Sequence, residues 1–165
     1  MENKYTKILV AVDGSRQAEW AFHNAVSIAK RNDNAELYVA SVIDSTIATS
    51  GLSDPYIFNS FFSKTKELVD SYVNYAKESG LTNVHAIVEQ GVPKIVLSED
   101  IVDEKGIDLV VCGSSGLTGL KRMIMGSVSE GIVRHTKSDV IIIKQQSIPE
   151  NFTHEISLKF QEENK

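Results

Sequence analysis

Cysteine, net positive charge and long apolar runs are all scarce in this 165-residue chain, and each shortage excludes a class of protein. The single cysteine, Cys112, rules out an intrachain disulfide, and its place at the end of an apolar strand predicts a buried, reduced thiol. A net charge of −5 offers no electrostatic surface for nucleic acid or for an anionic membrane. No apolar run approaches the roughly 18 residues that a membrane span needs.

Two further signals are missing from the sequence. The first seven residues lead directly into an apolar strand without the apolar core of a signal peptide, so we expect a cytoplasmic protein. The histidines, at positions 23, 85, 135 and 154, do not have the spacing of metal ligands. A dedicated metal site is therefore not expected.

Apolar strand patterns alternate with helical patterns five times along the chain. Strands are predicted at residues 7–13, 36–43, 84–89, 108–112 and 139–144, and long helices at about 15–31, 58–79, 93–106 and 126–136. The alternation is typical of an α/β fold with a doubly wound, open, parallel five-stranded sheet and helices on both faces. We expect strand order 3-2-1-4-5, because this order places the ends of the first and fourth strands side by side at a switch point.

Two polar segments stand outside this alternation. We predict that residues 45–59 form a loop long enough to carry a lid or a specificity element. We divide the chain into a domain at 1–146 and a polar C-terminal tail at 147–165 that we expect to be mobile. Ile156–Phe160 alternates like a strand that could pair with a sheet edge, although disorder is the favoured interpretation.

Glycines cluster where the fourth strand ends. Gly113 and Gly116 are followed after nine residues by Gly126-Ser127, at the start of a predicted helix. Glycine permits positive φ and close approach of a ligand, and the free N–H groups of the turn and the helix favour a phosphate. A plain tight turn is the alternative, since neither the dinucleotide fingerprint nor the Walker loop is present. Lys121 and Arg122, in the linker, are within reach of a phosphate or form a solvated basic turn.

Asp13 ends the first strand and has two interpretations of similar weight. In the expected strand order its carboxylate faces the glycine turn across the switch point. It could equally be a residue that only starts the following helix, for which Ser15 is the predicted N-cap. Trp20 lies off the apolar stripe of that helix, and we interpret it as a partly buried packing residue.

Three stretches of the sequence resemble the ATP-binding universal stress proteins. Residues 7–15 (Lys-Ile-Leu-Val-Ala-Val-Asp-Gly-Ser) resemble the opening of that family, and residues 39–44 (Val-Ala-Ser-Val-Ile-Asp) resemble its second strand. Gly113-Ser114-Ser115-Gly116, followed after nine residues by Gly126-Ser127-Val128-Ser129-Glu130, matches the motif of its ATP-binding members. The resemblance covers about residues 4–146 and implies a Rossmann-like domain that binds ATP.

The resemblance also implies a role for each matching position. Asp13 would contact the ribose, Ala11 would lie near the nucleotide, and Val42 would meet adenine through its main chain. Gly113, Ser115, Gly116 and Leu117 would lie along the ribose and phosphates. The phosphates would be held by N–H and hydroxyl groups of Gly126, Ser127, Val128 and Ser129, with Arg122 as a further partner.

The family resemblance implies a homodimer and a regulatory role in the stress response. We expect the dimer to form through the fifth strand, because the edge formed by Val140, Ile141, Ile142 and Ile143 would aggregate if left open. The nucleotide could be ATP, AMP or a relative, with Mg²⁺ held mainly by the phosphates. No base or nucleophile is evident, so at most slow hydrolysis is expected. A nucleotide-independent interaction module is the alternative.

Overall fold

The computed structural model of the protein describes residues 4–46, 53–115 and 125–165. The strands are β1 (Lys7–Ala11), β2 (Glu36–Asp44), β3 (Val84–Gly91), β4 (Leu109–Gly113) and β5 (Asp139–Ile143). The α-helices are α1 (Arg16–Arg31), α2 (Pro55–Glu78), α3 (Pro93–Ile95), α4 (Ile101–Lys105), α5 (Ser127–His135) and α6 (Glu155–Glu163). A π-helical segment (Val96–Asp100) joins α3 to α4, and a 3-10 turn (Gln145–Ser147) follows β5.

The strands form a single parallel sheet in the order β3-β2-β1-β4-β5. This confirms the predicted doubly wound fold and strand order. The central strand β1 pairs with β2 on one side and with β4 on the other, with Val10 opposite both Val39 and Val111. The three central strands β2, β1 and β4 are largely buried. One apolar cluster packs α1, α2 and α6 against the sheet, and another packs the π-helical segment, α4 and α5 against it.

Local capping explains where the first two long helices begin. Ser15 is the N-cap of α1, as predicted, and its hydroxyl accepts a hydrogen bond from the Ala18 N–H at 3.2 Å. Helix α2 begins three residues before the predicted position of about 58, because Asp54 caps it and Pro55 occupies its first turn. The predicted loop at residues 45–59 is therefore shorter, and its residues 47–52 lie outside the described residues.

The predictions for the tail were wrong in one respect. Ile156–Phe160 lies within the helix α6 and is neither a strand nor disordered. Ile156 and Phe160 are four residues apart, a spacing that places two side chains on the same face of a helix and also on the same face of a strand. So short a pattern could not distinguish the two structures. The division of the chain at residue 146 remains a prediction.

A buried carboxylate holds the start of α6 against the domain. Glu19 on α1 is fully buried and accepts hydrogen bonds from the N–H groups of Ile156 and Ser157, both at 3.0 Å. The Ser157 hydroxyl also donates to Glu19 at 2.7 Å, and the Tyr72 hydroxyl of α2 lies 3.2 Å from the same carboxylate. Burial, the largest cause, raises the pKa of Tyr72, so the phenol stays protonated and can donate. Glu19 therefore acts as an N-terminal cap supplied by a different helix.

Backbone and aromatic contacts attach the segment before α6 to the same face. The Arg16 guanidinium donates to the carbonyl groups of Pro149 and Phe152 at 2.7 and 3.2 Å. The Phe152 ring meets Trp20 edge-on, with 4.9 Å between ring centroids. Trp20 is half-buried, which confirms its interpretation as a packing residue.

Within residues 4–46, 53–115 and 125–165, every helix is too short or too polar to cross a membrane.

Candidate functional site

A cleft of about 330 Å³ opens at the carboxyl end of the sheet, between the ends of β1, β2 and β4. This is where ligands bind in doubly wound sheets, and the volume lies at the lower end of the range for small-molecule sites. The cleft has an apolar wall and a polar end. Its lining residues are Ala11, Val12, Asp13, Ala18, Ala40, Ser41, Val42, Pro93, Leu97, Cys112, Gly113, Ser115, Gly126, Ser127, Val128 and Ser129.

The structure brings most of the predicted site residues to this one cleft. Ala11 ends β1, Asp13 follows it, and Val42 lies near the end of β2. Gly113 ends β4, Ser115 follows it, and Gly126 to Ser129 open α5. The other three predicted residues, Gly116, Leu117 and Arg122, lie outside the described residues.

The start of α5 presents N–H donors to the polar end of the cleft that no described residue uses. Gly126 is the N-cap residue, and no side chain of the described residues caps the helix. The first helical hydrogen bond runs from the Glu130 N–H to the Gly126 carbonyl at 2.9 Å, so the N–H groups of residues 127–129 precede the helical ladder. Such an end carries about half a positive charge and favours an anion.

The Ser114 carbonyl joins the two parts of the glycine motif. It accepts hydrogen bonds from the Gly126 N–H at 2.7 Å and from the Ser129 hydroxyl at 2.9 Å. Ser129 is buried, and its hydroxyl also lies 2.9 Å from the Gly126 carbonyl. The Ser129 hydroxyl is thus committed to closing the motif, which leaves the Ser129 N–H and the exposed Ser127 hydroxyl as donors for a ligand.

Close packing accounts for the glycine at position 113 but not for the one at position 126. Gly126 has a φ of −67°, which any residue can adopt, and a Cβ there would lie at an ordinary contact distance, 3.4 Å, from the Ser114 carbonyl oxygen. A Cβ at Gly113 would lie 3.3 Å from the Ser115 carbonyl oxygen. The glycine of this region that needs positive φ is Gly14, at +83°, which turns the chain from β1 into α1.

Asp13 serves the start of α1. Its Oδ1 accepts a hydrogen bond from the Ser15 N–H at 2.9 Å, which is the local role that the sequence left open. The half-buried residue also lines the cleft, as does Ser115 of the turn after β4. The two interpretations of Asp13 are therefore compatible in one conformation.

Sequence reasoning missed the residues that close the apolar side of the cleft. Ala40 and Ser41 precede Val42 on β2, whereas Pro93 and Leu97 come from the segment after β3. Gly91-Val92-Pro93 at a strand end was a usable signal for Pro93, because neighbouring strands end at the same edge. Leu97 sits in the π-helical segment, a rare local structure that often occurs at functional sites and leaves no clear pattern in sequence.

Cys112 forms part of the cleft wall, but its thiol is unreactive. It is buried, as predicted, and burial raises the pKa of its thiol to about 12. A thiol in that state is a poor nucleophile at neutral pH. Among the described residues, His, Cys, Asp and Glu side chains form no cluster of three or more that could hold a metal ion.

Comparison with known proteins assigns the family. The model of the Universal stress protein family matches residues 4–144. The chain is 44% identical over 154 residues to a Staphylococcus haemolyticus protein that carries the universal stress protein name, covering 93% of each chain. A Staphylococcus aureus protein of the same name is 39% identical over 154 residues, covering 93% of this chain and 92% of that one.

Solved structures agree with that assignment. A universal stress protein from Lactobacillus plantarum superposes with a TM-score of 0.76 and 28% identity, covering 86% of this chain and 99% of that one. A universal stress protein solved in complex with cAMP has a TM-score of 0.63 and 26% identity, covering 86% and 98%. The chain belongs to the universal stress protein family.

Proposed function

We propose that this protein binds an adenine nucleotide, ATP first among them, in the cleft at the carboxyl end of the sheet. The observation that carries the proposal is the start of α5, which no described side chain caps and which opens into the same cleft as Asp13. A polyphosphate satisfies the free N–H groups of residues 127–129, while a carboxylate suits the ribose hydroxyls. The cAMP complex of a related universal stress protein supports an adenine nucleotide as the ligand class.

The proposed arrangement divides the cleft by chemistry. Adenine lies against the apolar wall and the main chain at Val42, the ribose lies by Asp13, and the phosphates lie at Gly113, Ser115 and the start of α5. The ribose thereby separates the Asp13 carboxylate from the phosphate charge. Gly116, Leu117 and Arg122 remain proposed partners from the sequence. When Mg²⁺ accompanies ATP it screens the phosphate charge, with the phosphates as its main ligands.

We further propose that bound nucleotide regulates assembly in a cytoplasmic homodimer, without catalysis. The side chains of Val140, Ile141, Ile142 and Ile143 on the edge strand β5 are only half-buried in one chain, and pairing with a second copy would cover them. Light scattering should give the mass of a dimer at micromolar concentration. A monomer under those conditions would reject this dimer.

Calorimetric titration with ATP tests the central proposal. The protein is first unfolded and refolded to strip any ligand that copurifies, and the titration is repeated with AMP and cAMP. Saturable binding of at least one of these ligands is expected, and the absence of heat with all of them would reject the proposal. GTP serves as the control for the base, because recognition at the apolar wall should favour adenine.

Two other functions make different predictions in the same assay. A nucleotide-independent interaction module, in which the glycines only shape a loop, would bind no nucleotide. An ATPase would turn over many times, and Asp13→Ala would lower turnover beyond its effect on binding. The commitment of the Ser129 hydroxyl to backbone carbonyl groups favours binding over catalysis.

A further inference from the structure

A contact joins α1 to the turn after β4, at the side of the proposed nucleotide site. Gln17, in the first turn of α1, is only 7% exposed, although glutamine in a helix is usually solvated. A Cβ built on Gly113 would lie 3.4 Å from the Gln17 Cβ, so this helix turn packs directly on the glycine. Gln17 is not among the residues that line the cleft.

A side-chain hydrogen bond joins the two segments. The Ser115 hydroxyl donates to the Gln17 Oε1, across 98 residues of sequence. Ser115 itself lines the cleft. A serine hydroxyl carries one proton, so while Gln17 accepts it, Ser115 offers the cleft its backbone and lone pairs rather than an O–H donor.

Further hydrogen bonds between described residues hold this turn through the Ser114 backbone. The Ser114 N–H donates to the Ile143 carbonyl of β5 at 2.9 Å, and the Ser114 carbonyl accepts from Gly126 and Ser129. The Gln17 bond adds a third direction of restraint, from α1, at the last described residue before position 116. Gly113 permits close packing of α1 on the turn. This proximity lets Gln17 hold the side chain of Ser115, two residues after Gly113.

We propose that Gln17 is a positioning residue for the nucleotide site: it holds Ser115, and with it the Gly113–Ser115 turn, in the ligand-binding arrangement. This inference rests on the proposed function. Ordering the turn before binding removes part of the entropy loss on association, so the bond raises affinity without touching the ligand. One neutral hydrogen bond of this kind corresponds to roughly a fivefold change in affinity.

Gln17→Met tests the proposal because it keeps the length of the side chain and removes the acceptor. Calorimetry with ATP should give a dissociation constant raised roughly fivefold in Gln17→Met and in Ser115→Ala, with no further loss in the double variant. Gln161→Met, at an exposed position of α6, is the matched control and should bind as the wild type does.

A ligand-free measurement separates this inference from the proposed function. Backbone amide hydrogen exchange at Ser114 and Ser115 should be faster in Gln17→Met than in the wild type, with α1 and the β-strands unchanged. Wild-type affinity in Gln17→Met, or an equal further loss when it is added to Ser115→Ala, would overturn the positioning role. If the wild type binds no adenine nucleotide, the proposed function fails and Gln17 is reduced to a structural residue.

Discussion

The N-termini of α5 and α6 face the same physical problem and meet it in opposite ways. Each is a nine-residue helix whose first N–H groups lack helical partners, and neither has a capping side chain at its own N-cap position. At α6 the buried Glu19 carboxylate of α1 supplies the missing anion. At α5 the donors open into a cleft. The N–H donors at the start of α6 are therefore satisfied by a side chain of the protein, whereas those at the start of α5 are placed where a ligand could accept from them.

The two starts also differ in their surroundings. The α6 start packs on buried groups, including the Tyr72 hydroxyl, which lies 2.6 Å from the Ser157 hydroxyl. The α5 start has an exposed first residue, Ser127, and a glycine at its N-cap. A permanent internal anion confers stability, whereas an open start leaves room for exchange with solvent. The contrast indicates that α5, and not α6, is the end available to small anions.

Breaking the internal cap should have the largest effect. Glu19→Ala leaves the N–H groups of Ile156 and Ser157 without their anion and should lower the free energy of unfolding by about 2–4 kcal/mol. Chemical denaturation measures the loss, and amide exchange should show faster exchange in α6. Glu130→Ala, at an exposed position of α5, is the control and should change stability by less than about 0.5 kcal/mol. Equal losses in the two variants would contradict the capping role of Glu19.

Converting the open start into a capped one is the complementary change. Gly126 has a φ of −67° and a ψ of 158°, so Gly126→Asp can place a carboxylate at the N-cap without backbone strain. We expect stability equal to or slightly above that of the wild type, and ATP affinity at least about tenfold lower because the new charge competes with phosphate. Gly126→Ser is the uncharged control and should lose less. Unchanged ATP affinity in Gly126→Asp would place the phosphates elsewhere.

The smallest expected effect is on the pH dependence of stability, through His23 beside the Glu19 cap of α6. His23 Nε2 lies 4.0 Å from the Glu19 carboxylate, yet burial outweighs this attraction and lowers the pKa of His23 below its usual 6.5. The unfolded chain then binds the proton more readily than the folded one, so stability is full above pH 6.5 and falls as the pH drops below it.

Denaturation curves between about pH 7.5 and pH 5.5 measure this dependence. His23→Gln should flatten the part of the slope that His23 contributes, and the same substitution at exposed His135 is the control. Stability that rises on acidification through this range because of His23 would show that the attraction of Glu19 outweighs the effect of burial.

The sheet could be predicted because each strand is encoded by a short, continuous stretch of sequence. Each buried strand is a short apolar run, and the polar residues at the ends of β1 and β4 indicated the strand order. The site was predictable to the extent that it lies at those strand ends, which is why Asp13, Gly113 and Gly126 were expected at one cleft. The detailed roles could not be read from the sequence: Gly113 permits close packing, and the Ser129 hydroxyl bonds to backbone carbonyl groups.

The tail could not be predicted because its partner is distant in sequence. Ile156–Phe160 is too short to show a period, and nothing near it indicates that Glu19 will meet its first turn. Glu19 itself falls in the first turn of α1, where an acidic residue is explained by the dipole of its own helix. Gln17 was missed for the same reason, since its significance depends on Ser115, 98 residues later.

The hydrogen bond from Ile156 to Glu19 spans 137 residues, and this separation orders events during synthesis. Helix α1 leaves the ribosome long before α6 does, so Glu19 stays hydrated at least until Ile156 and Ser157 have emerged. Long-range closure of this kind is slow compared with helix formation, which makes docking of α6 a late step of folding. Docking of α6 is therefore the step that removes the Glu19 charge from water.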